Sequence, residues 1–183
     1  MLTLNKDSTN SLVMNPIFKT DTFLLREITA DDLPHIYHGL SHPEVIPFYG
    51  VSFDSLEATR EQMDWYAKPE QQWWAICSLD GDEFYGAAGL NDIDLQVGTA
   101  EIGLWLLPDY WGQGILKQAL PFVADYGLSK LGLNRIEGFV DGGNTNCKRA
   151  MAKLDFIHEK TLENAEEKDG RMIDVEVYVK TRK

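Results

Sequence analysis

Cysteine is scarce in this chain: its 183 residues carry two, Cys77 and Cys147. Their separation matches no metal-ligand spacing and supports no disulfide framework, so the expectation is a reducing, cytoplasmic compartment and no resident metal. Long apolar runs are missing as well. No stretch approaches the roughly 20 residues that span a bilayer, so no membrane partner is expected. The opening MLTLNKDSTNSLVMNPIF has neither a basic start nor a continuous apolar centre and does not read as a signal peptide. Residues 1–18 read as an N-terminal extension, disordered or pairing as an edge strand, and 19–183 as one domain. Basic residues are outnumbered, 17 against 29 acidic ones, for a net charge of −12. Nucleic-acid binding needs a basic face to displace counterions, so that class is set aside. The acidic surplus either serves solubility or steers a cationic partner. Internal repeats are absent too.

The composition that remains, 44% hydrophobic with five tryptophans, supports a packed core. Alternating apolar positions predict strands over 22–28, 72–79, 83–93, 99–107, 135–140, 156–162 and 171–180. Helical periods predict a helix from Thr29 toward Leu40 and one from Asp54 or Ser55 through Tyr66. A third runs from Gly114 to Lys130, where Pro121 forces a kink or a late start, and a fourth from Asn144 to Leu154. The acidic stretch Glu163–Asp169 reads as a solvated hairpin loop. Strands first antiparallel and then crossing through helices predict an α/β domain with a mixed sheet.

The most informative segment is LWLLPDYWGQGILKQAL, Leu104 to Leu120. An apolar strand turns through Trp111-Gly112-Gln113-Gly114 directly into a helix. Such a turn presents unpaired N–H groups at the positive end of a helix dipole, and its glycines let an anion approach the backbone. No Gly-Lys-Ser/Thr closes it as a P-loop, and no third glycine completes a dinucleotide fingerprint. His35, His38 and His42 sit three and four residues apart. No carboxylate or cysteine completes a metal set there, and Pro43 ends the helix. Trp73 and Trp74 face opposite sides of one strand. One belongs to the core and one to a pocket, and Trp74 is assigned to the pocket.

The order EIGLWLLPDYWGQGILKQAL, then Asn144-Thr145-Asn146-Cys147, a helical stretch and Leu154-Asp155-Phe156, resembles the GNAT acetyltransferase superfamily. Within it the chain is similar to the RimJ/RimL-type branch, which acetylates ribosomal-protein N-termini, and the likeness runs from about Phe23 to Val179. The resemblance implies a largely antiparallel sheet splayed between its fourth and fifth strands, with helices on both faces. It also implies acetyl-CoA as co-substrate, with the pantetheine arm in the split and the pyrophosphate on the turn. The family's [QR]-x-x-G-x-[GA] frame falls on Trp111, Gly114 and Leu116, and Leu116 departs from the expected small residue. Cofactor contacts are implied at Leu106, Trp111, Gly112, Gln113, Gly114, Ile115, Leu116, Lys117 and Asn144, the last also capping a helix. Phe48 and Tyr49, in the loop between the first two helices, are implied in the acceptor site.

Acetyl transfer to nitrogen needs a neutral amine. An α-amino group of pKa ~7.7–8.0 costs about 1 kcal/mol to deprotonate at pH 7, a lysine about 4.6 kcal/mol. One carboxylate suffices for the former, and Glu101, on the strand face shared with Gly103 and Trp105, is the candidate base; a surface strand glutamate is the other reading. The departing thiolate is helped by a proton. Met151 stands where many superfamily members carry a tyrosine, and Cys147 stands where the resembled branch has a serine, three residues after the Asn. Cys147 is therefore a candidate weak donor, or a small packed apolar residue. The expected activity is acetyl transfer from acetyl-CoA to a primary amine, first a protein N-terminus such as that of a ribosomal or other basic protein. A small cationic amine (a polyamine or aminoglycoside) is the alternative, and a non-catalytic acyl-CoA-binding module a third. Monomer and homodimer both fit.

Overall fold

From Gln72 to Cys77, Trp73, Ala75 and Cys77 turn to one face of the chain and Trp74 and Ile76 to the other, and all five are buried. A strand buried on both faces belongs in the middle of a covered sheet. The computed structural model, which describes residues 17–168 and 170–182, builds that sheet from eight strands. In chain order they are β1 (Phe18–Lys19), β2 (Leu24–Glu27), β3 (Gln72–Cys77), β4 (Phe84–Asp94), β5 (Thr99–Leu106), β6 (Arg135–Asp141), β7 (Ile157–Lys168) and β8 (Arg171–Thr181). The spatial order is β1-β2-β3-β4-β5-β6-β8-β7, and every neighbouring pair is antiparallel except β5–β6.

Helices cover both faces. On one, α1 (Leu33–Leu40) and α2 (Arg60–Tyr66) bury Ile36, Leu40 and Tyr66 against Trp73, Ala75, Cys77, Ala87 and Trp105. On the other, α3 (Ile115–Asp125) and α4 (Thr145–Lys153) bury Ile115, Ala119, Leu120, Val123 and Met151 against Trp74, Ile76, Leu90 and Ile136.

Several expectations change, and the second helix opens at Arg60 rather than at Asp54 or Ser55. The acidic stretch is strand: β7 runs on to Lys168 because Glu166, Glu167 and Lys168 pair with Ile173, Met172 and Arg171. Ladder hydrogen bonds outweigh the charge pattern there, with a register shift between Leu162 and Glu166 and Gly170 turning at φ +73°; Asp169 lies outside the described residues. The third helix is α-helical only to Asp125. A π-type turn takes Tyr126–Lys130, after Pro121 has withheld one backbone donor from the helix. At the other end, residues 1–16 of the expected extension lie outside the described residues. The boundary at 18 falls inside β1, whose Phe18 stacks on Phe122 at 4.4 Å between ring centroids.

Candidate active site

The parallel pair β5–β6 holds for three rungs, Thr99–Arg135, Ala100–Ile136 and Glu101–Glu137, and then the strands part. The short β1 at the edge shifts the numbering by one, so this is the split expected between the fourth and fifth strands. A cavity of about 770 Å³ fills it, walled by Ile102, Gly103 and Leu104 of β5 and by Gly138, Phe139 and Val140 of β6. Past Glu101 the facing edges of β5 and β6 have no ladder between them, a backbone slot open to an extended ligand.

Beyond the end of β5 lies the glycine turn. Gly112 and Gly114 adopt left-handed backbones at φ +74° and +80°, and a Cβ built at either meets nothing within 4 Å. Among the described residues the N–H groups of Gly112, Gln113 and Gly114 carry no hydrogen bond, and the first turn of α3 adds its own orphan donors. The turn is braced from behind: Trp111 Nε1 donates to the Leu106 carbonyl at 2.8 Å and Gln113 Nε2 to the Asp109 carbonyl at 2.7 Å. Open space and unpaired donors fit a phosphate chain. The Leu106 side chain is core and its carbonyl accepts from Trp111, which leaves only its backbone at the cofactor side. Ile115 is likewise buried, leaving only its backbone at the turn. Leu116 lines the cavity while packing partly into the core, and Lys117 is exposed beside the turn.

On the α1–α2 side the cavity is aromatic and acidic. Tyr49, Phe53, Trp65 and Trp73 line it, with Phe48 at its exposed rim. Its charged lining residues, among those described, are Glu61 and Glu101, with no lysine or arginine. Burial pushes the Glu101 carboxyl up to about 7; the Asn91 amide opposes the rise, while Asp92, Glu137 and Glu166 add to it. Such a group is divided between acid and base near neutral pH. Burial also holds Tyr49 well above its ordinary range and Tyr66 up to about 12, so both stay phenols. Tyr66 accepts from Trp105 Nε1 at 3.4 Å. At the rim, Lys168 lies 5.5 Å from the Phe48 ring centroid and 2.6 Å from Asp141, linking the β7–β8 hairpin to the end of β6.

Across the split, Asn144 caps α4 by accepting from the Cys147 N–H at 3.0 Å. Cys147 and Met151 both line the cavity, and burial alone raises the Cys147 thiol. Downstream, Asp155 takes the left-handed turn at φ +61°.

Trp74 is corrected: 1% exposed, it packs on Phe122 and Tyr126 beneath α3, and Trp73 is the pocket residue. The choice turns on which face α2 covers, and Tyr66, 5.3 Å from Trp73, settles it. Sequence reasoning also missed Glu61, Trp65 and Asn91. For Asn91 a signal existed in the meander, since it pairs directly with Glu101. The three histidines do not converge: His35 stacks on Phe84, and only His38 and His42 meet.

The family model described as "Acetyltransferase (GNAT) domain" matches residues 22–157. The uncharacterized N-acetyltransferase YoaA of Bacillus subtilis is 32% identical over 170 residues, covering 90% of this chain and 96% of that one. The ribosomal-protein-serine acetyltransferase of Escherichia coli is 34% identical over 99 residues, covering 54% of this chain and 55% of its own length. In fold, the chain is similar to the spermidine N-acetyltransferase of Vibrio cholerae solved with CoA and spermine. The TM-score is 0.80 at 18% identity, covering 87% of this chain and 95% of that one.

Proposed function

The chain belongs to the GNAT acetyltransferase family, and from that premise we infer that this N-acetyltransferase moves the acetyl group of acetyl-CoA to the α-amino group of a protein N-terminus. The observation that carries the reading is Glu101, a carboxyl at about 7 where the sheet divides. Its basicity lies within about one unit of an α-amine, near the optimum for proton transfer at neutral pH, but far below a lysine. Acetyl-CoA supplies the thioester carbonyl. The chain's own groups do the rest. The N–H groups of Gly112, Gln113 and Gly114 bind the phosphates, and Asn144 and the open edge of β5 orient the arm. Trp65, Trp73 and Tyr49 exclude water, and Glu101 takes the proton that the ammonium must lose, directly or through a water.

A second reading, a small polyamine, is favoured by one observation: among the described residues the cavity's charged lining is Glu61 and Glu101. The fold likeness to a spermidine acetyltransferase points the same way. The readings separate when CoA release is followed with acetyl-CoA and four acceptors: a peptide with a free N-terminus, the same peptide N-blocked but containing lysine, spermidine, and no acceptor. Turnover confined to the free N-terminus is expected. Equal turnover of the blocked peptide, or turnover of spermidine alone, overturns the proposal.

A further inference from the structure

We propose that Trp73 is a specificity-determining residue: its indole N–H donates to the carbonyl oxygen adjacent to the acceptor's amino group, so that amino-acyl acceptors are preferred over plain alkylamines. The proposal rests on the N-terminal reading above and assigns to one side chain the task of recognising what lies beside the amine.

Trp73 is 5% exposed, and its Nε1 is buried without a hydrogen-bond partner among the described residues. Trp105 and Trp111 do not share this state, and Trp65 is only half-buried. Trp105 Nε1 meets the Tyr66 hydroxyl and Trp111 Nε1 the Leu106 carbonyl. A buried orphan donor costs about 1–3 kcal/mol, and native proteins rarely keep one that nothing uses.

Its placement says what would use it. Trp73 lines the cavity, and its Cζ2–Cη2 edge lies so close to Gly103 that a Cβ built there would stand 2.6–2.8 Å from those two atoms. Nε1 is two bonds from Cζ2. Gly103 in turn follows Glu101 by two residues on the same strand face. The indole N–H and the Glu101 carboxyl thus belong to one face of the sheet beside the same short stretch of β5. In an amino-acyl group the nitrogen is a proton source and the neighbouring carbonyl oxygen a hydrogen-bond acceptor, the two functions that a carboxyl and an indole N–H answer. This face is the α1–α2 side; Cys147, Met151 and Leu116 line the opposite side. A polyamine offers methylenes where the carbonyl would be and leaves the N–H unpaired. A site built to satisfy a polar group discriminates strongly against ligands that cannot.

The test is a ratio. Alaninamide and isopropylamine carry an amine on the same branched carbon and differ in the carbonyl. Their kcat/KM values, each taken per neutral amine, are compared in the wild type and in Trp73→Phe, which keeps an aromatic ring and removes the N–H. The wild type is expected to prefer alaninamide by at least about tenfold, and Trp73→Phe to lose about tenfold of that preference, the size of one hydrogen bond. An unaltered ratio in the variant overturns the proposal whatever happens to absolute rates, because the N–H then serves the acetyl group or the fold. A wild-type ratio near one overturns it without any variant, which covers the case in which Trp73→Phe fails to fold. The N-terminal reading fails separately, if alaninamide is preferred but free peptide N-termini are not acetylated.

Discussion

Glu101 on β5 and Glu137 on β6 are partners on the last rung of the parallel ladder before the sheet divides. Arg135 neutralises Glu137 at 2.6 Å and Glu159 at 2.6 Å, and among the described residues no cation lowers Glu101. The arrangement trades stability for basicity. A carboxyl raised from an ordinary 4.5 to about 7 binds its proton more tightly folded than unfolded. Folding therefore loses free energy as pH rises from about 4.5 to 7, and the loss is constant above that. Glu101→Gln removes the titration. Its stability advantage over wild type should be absent at pH 4 and grow to a plateau above pH 7, about 2 kcal/mol once partial solvent screening is allowed for. Urea unfolding across that range measures it, and parallel curves at every pH contradict it.

The same group should set the rate profile. Wild-type kcat/KM for a peptide acceptor is expected to climb through an inflection near pH 7 and a second one where the amine loses its proton. Glu101→Gln should lose the first inflection and about 10²-fold of the rate at pH 7, recovering part of it at high pH. Unaltered acetyl-CoA affinity in the variant separates a proton-transfer role from a binding one. A profile that keeps both inflections removes Glu101 from catalysis.

Period-two alternation was enough to place β3, β4, β5, β6 and β8 within a few residues, and the Asn144 cap was legible because a side-chain oxygen before a helix has one obvious use. Alternation says that Trp73 and Trp74 oppose each other, yet it does not say which face α2 will cover. That depends on the packing of Tyr66 and Trp65, 5.3 and 6.1 Å from Trp73 between ring centroids. Glu101 was locatable on its strand, but its basicity was not. Its rise comes first from burial, which only the folded sheet provides, and then from Asp92 of β4, Glu137 of β6 and Glu166 of β7. In the same way, Glu163–Lys168 looked like a loop because its partners on β8 compensate for charges that propensity counts against a strand.

Gly114 tests the anion site. At φ +80° any side chain costs about 1–2 kcal/mol, more for a β-branched one, although the space beside it is open. Gly114→Ala should fold with that modest penalty and bind acetyl-CoA more weakly. Gly114→Val should lose the thermal stabilisation that saturating acetyl-CoA gives the wild type, about 2.7 kcal/mol at a hundredfold excess over Kd. Differential scanning fluorimetry with and without the ligand reads this, and an undiminished shift in Gly114→Val moves the phosphates elsewhere.

Trp74 should behave as core. Removing a fully buried indole that touches Phe122 and Tyr126 leaves a cavity under α3. Trp74→Ala is therefore expected to lower the unfolding free energy by about 3–5 kcal/mol. The milder Trp74→Phe should retain the wild-type acceptor KM, measured with a peptide substrate. A raised acceptor KM without loss of stability would return Trp74 to the pocket.

Cys147 lies between two chemical roles that its surroundings separate. A thiol raised by burial, with no cation or histidine among the groups that shift it, is poorly suited to be a nucleophile. It remains able to give a proton, or simply to fill space beside Met151. Cys147→Ser should therefore keep most activity and Cys147→Ala should lose at most about 10²-fold. Intact-protein mass spectrometry after acetyl-CoA alone should find no acetyl group on the enzyme. If Cys147→Ala is impaired, Met151→Tyr in that background tests donation directly, since it offers a phenol from the same side of the cavity. Recovery of rate assigns Cys147 to proton delivery, and wild-type rates in Cys147→Ala assign it to packing. An acetylated Cys147 would mean that the group travels by way of the enzyme and that the direct route from thioester to amine is wrong.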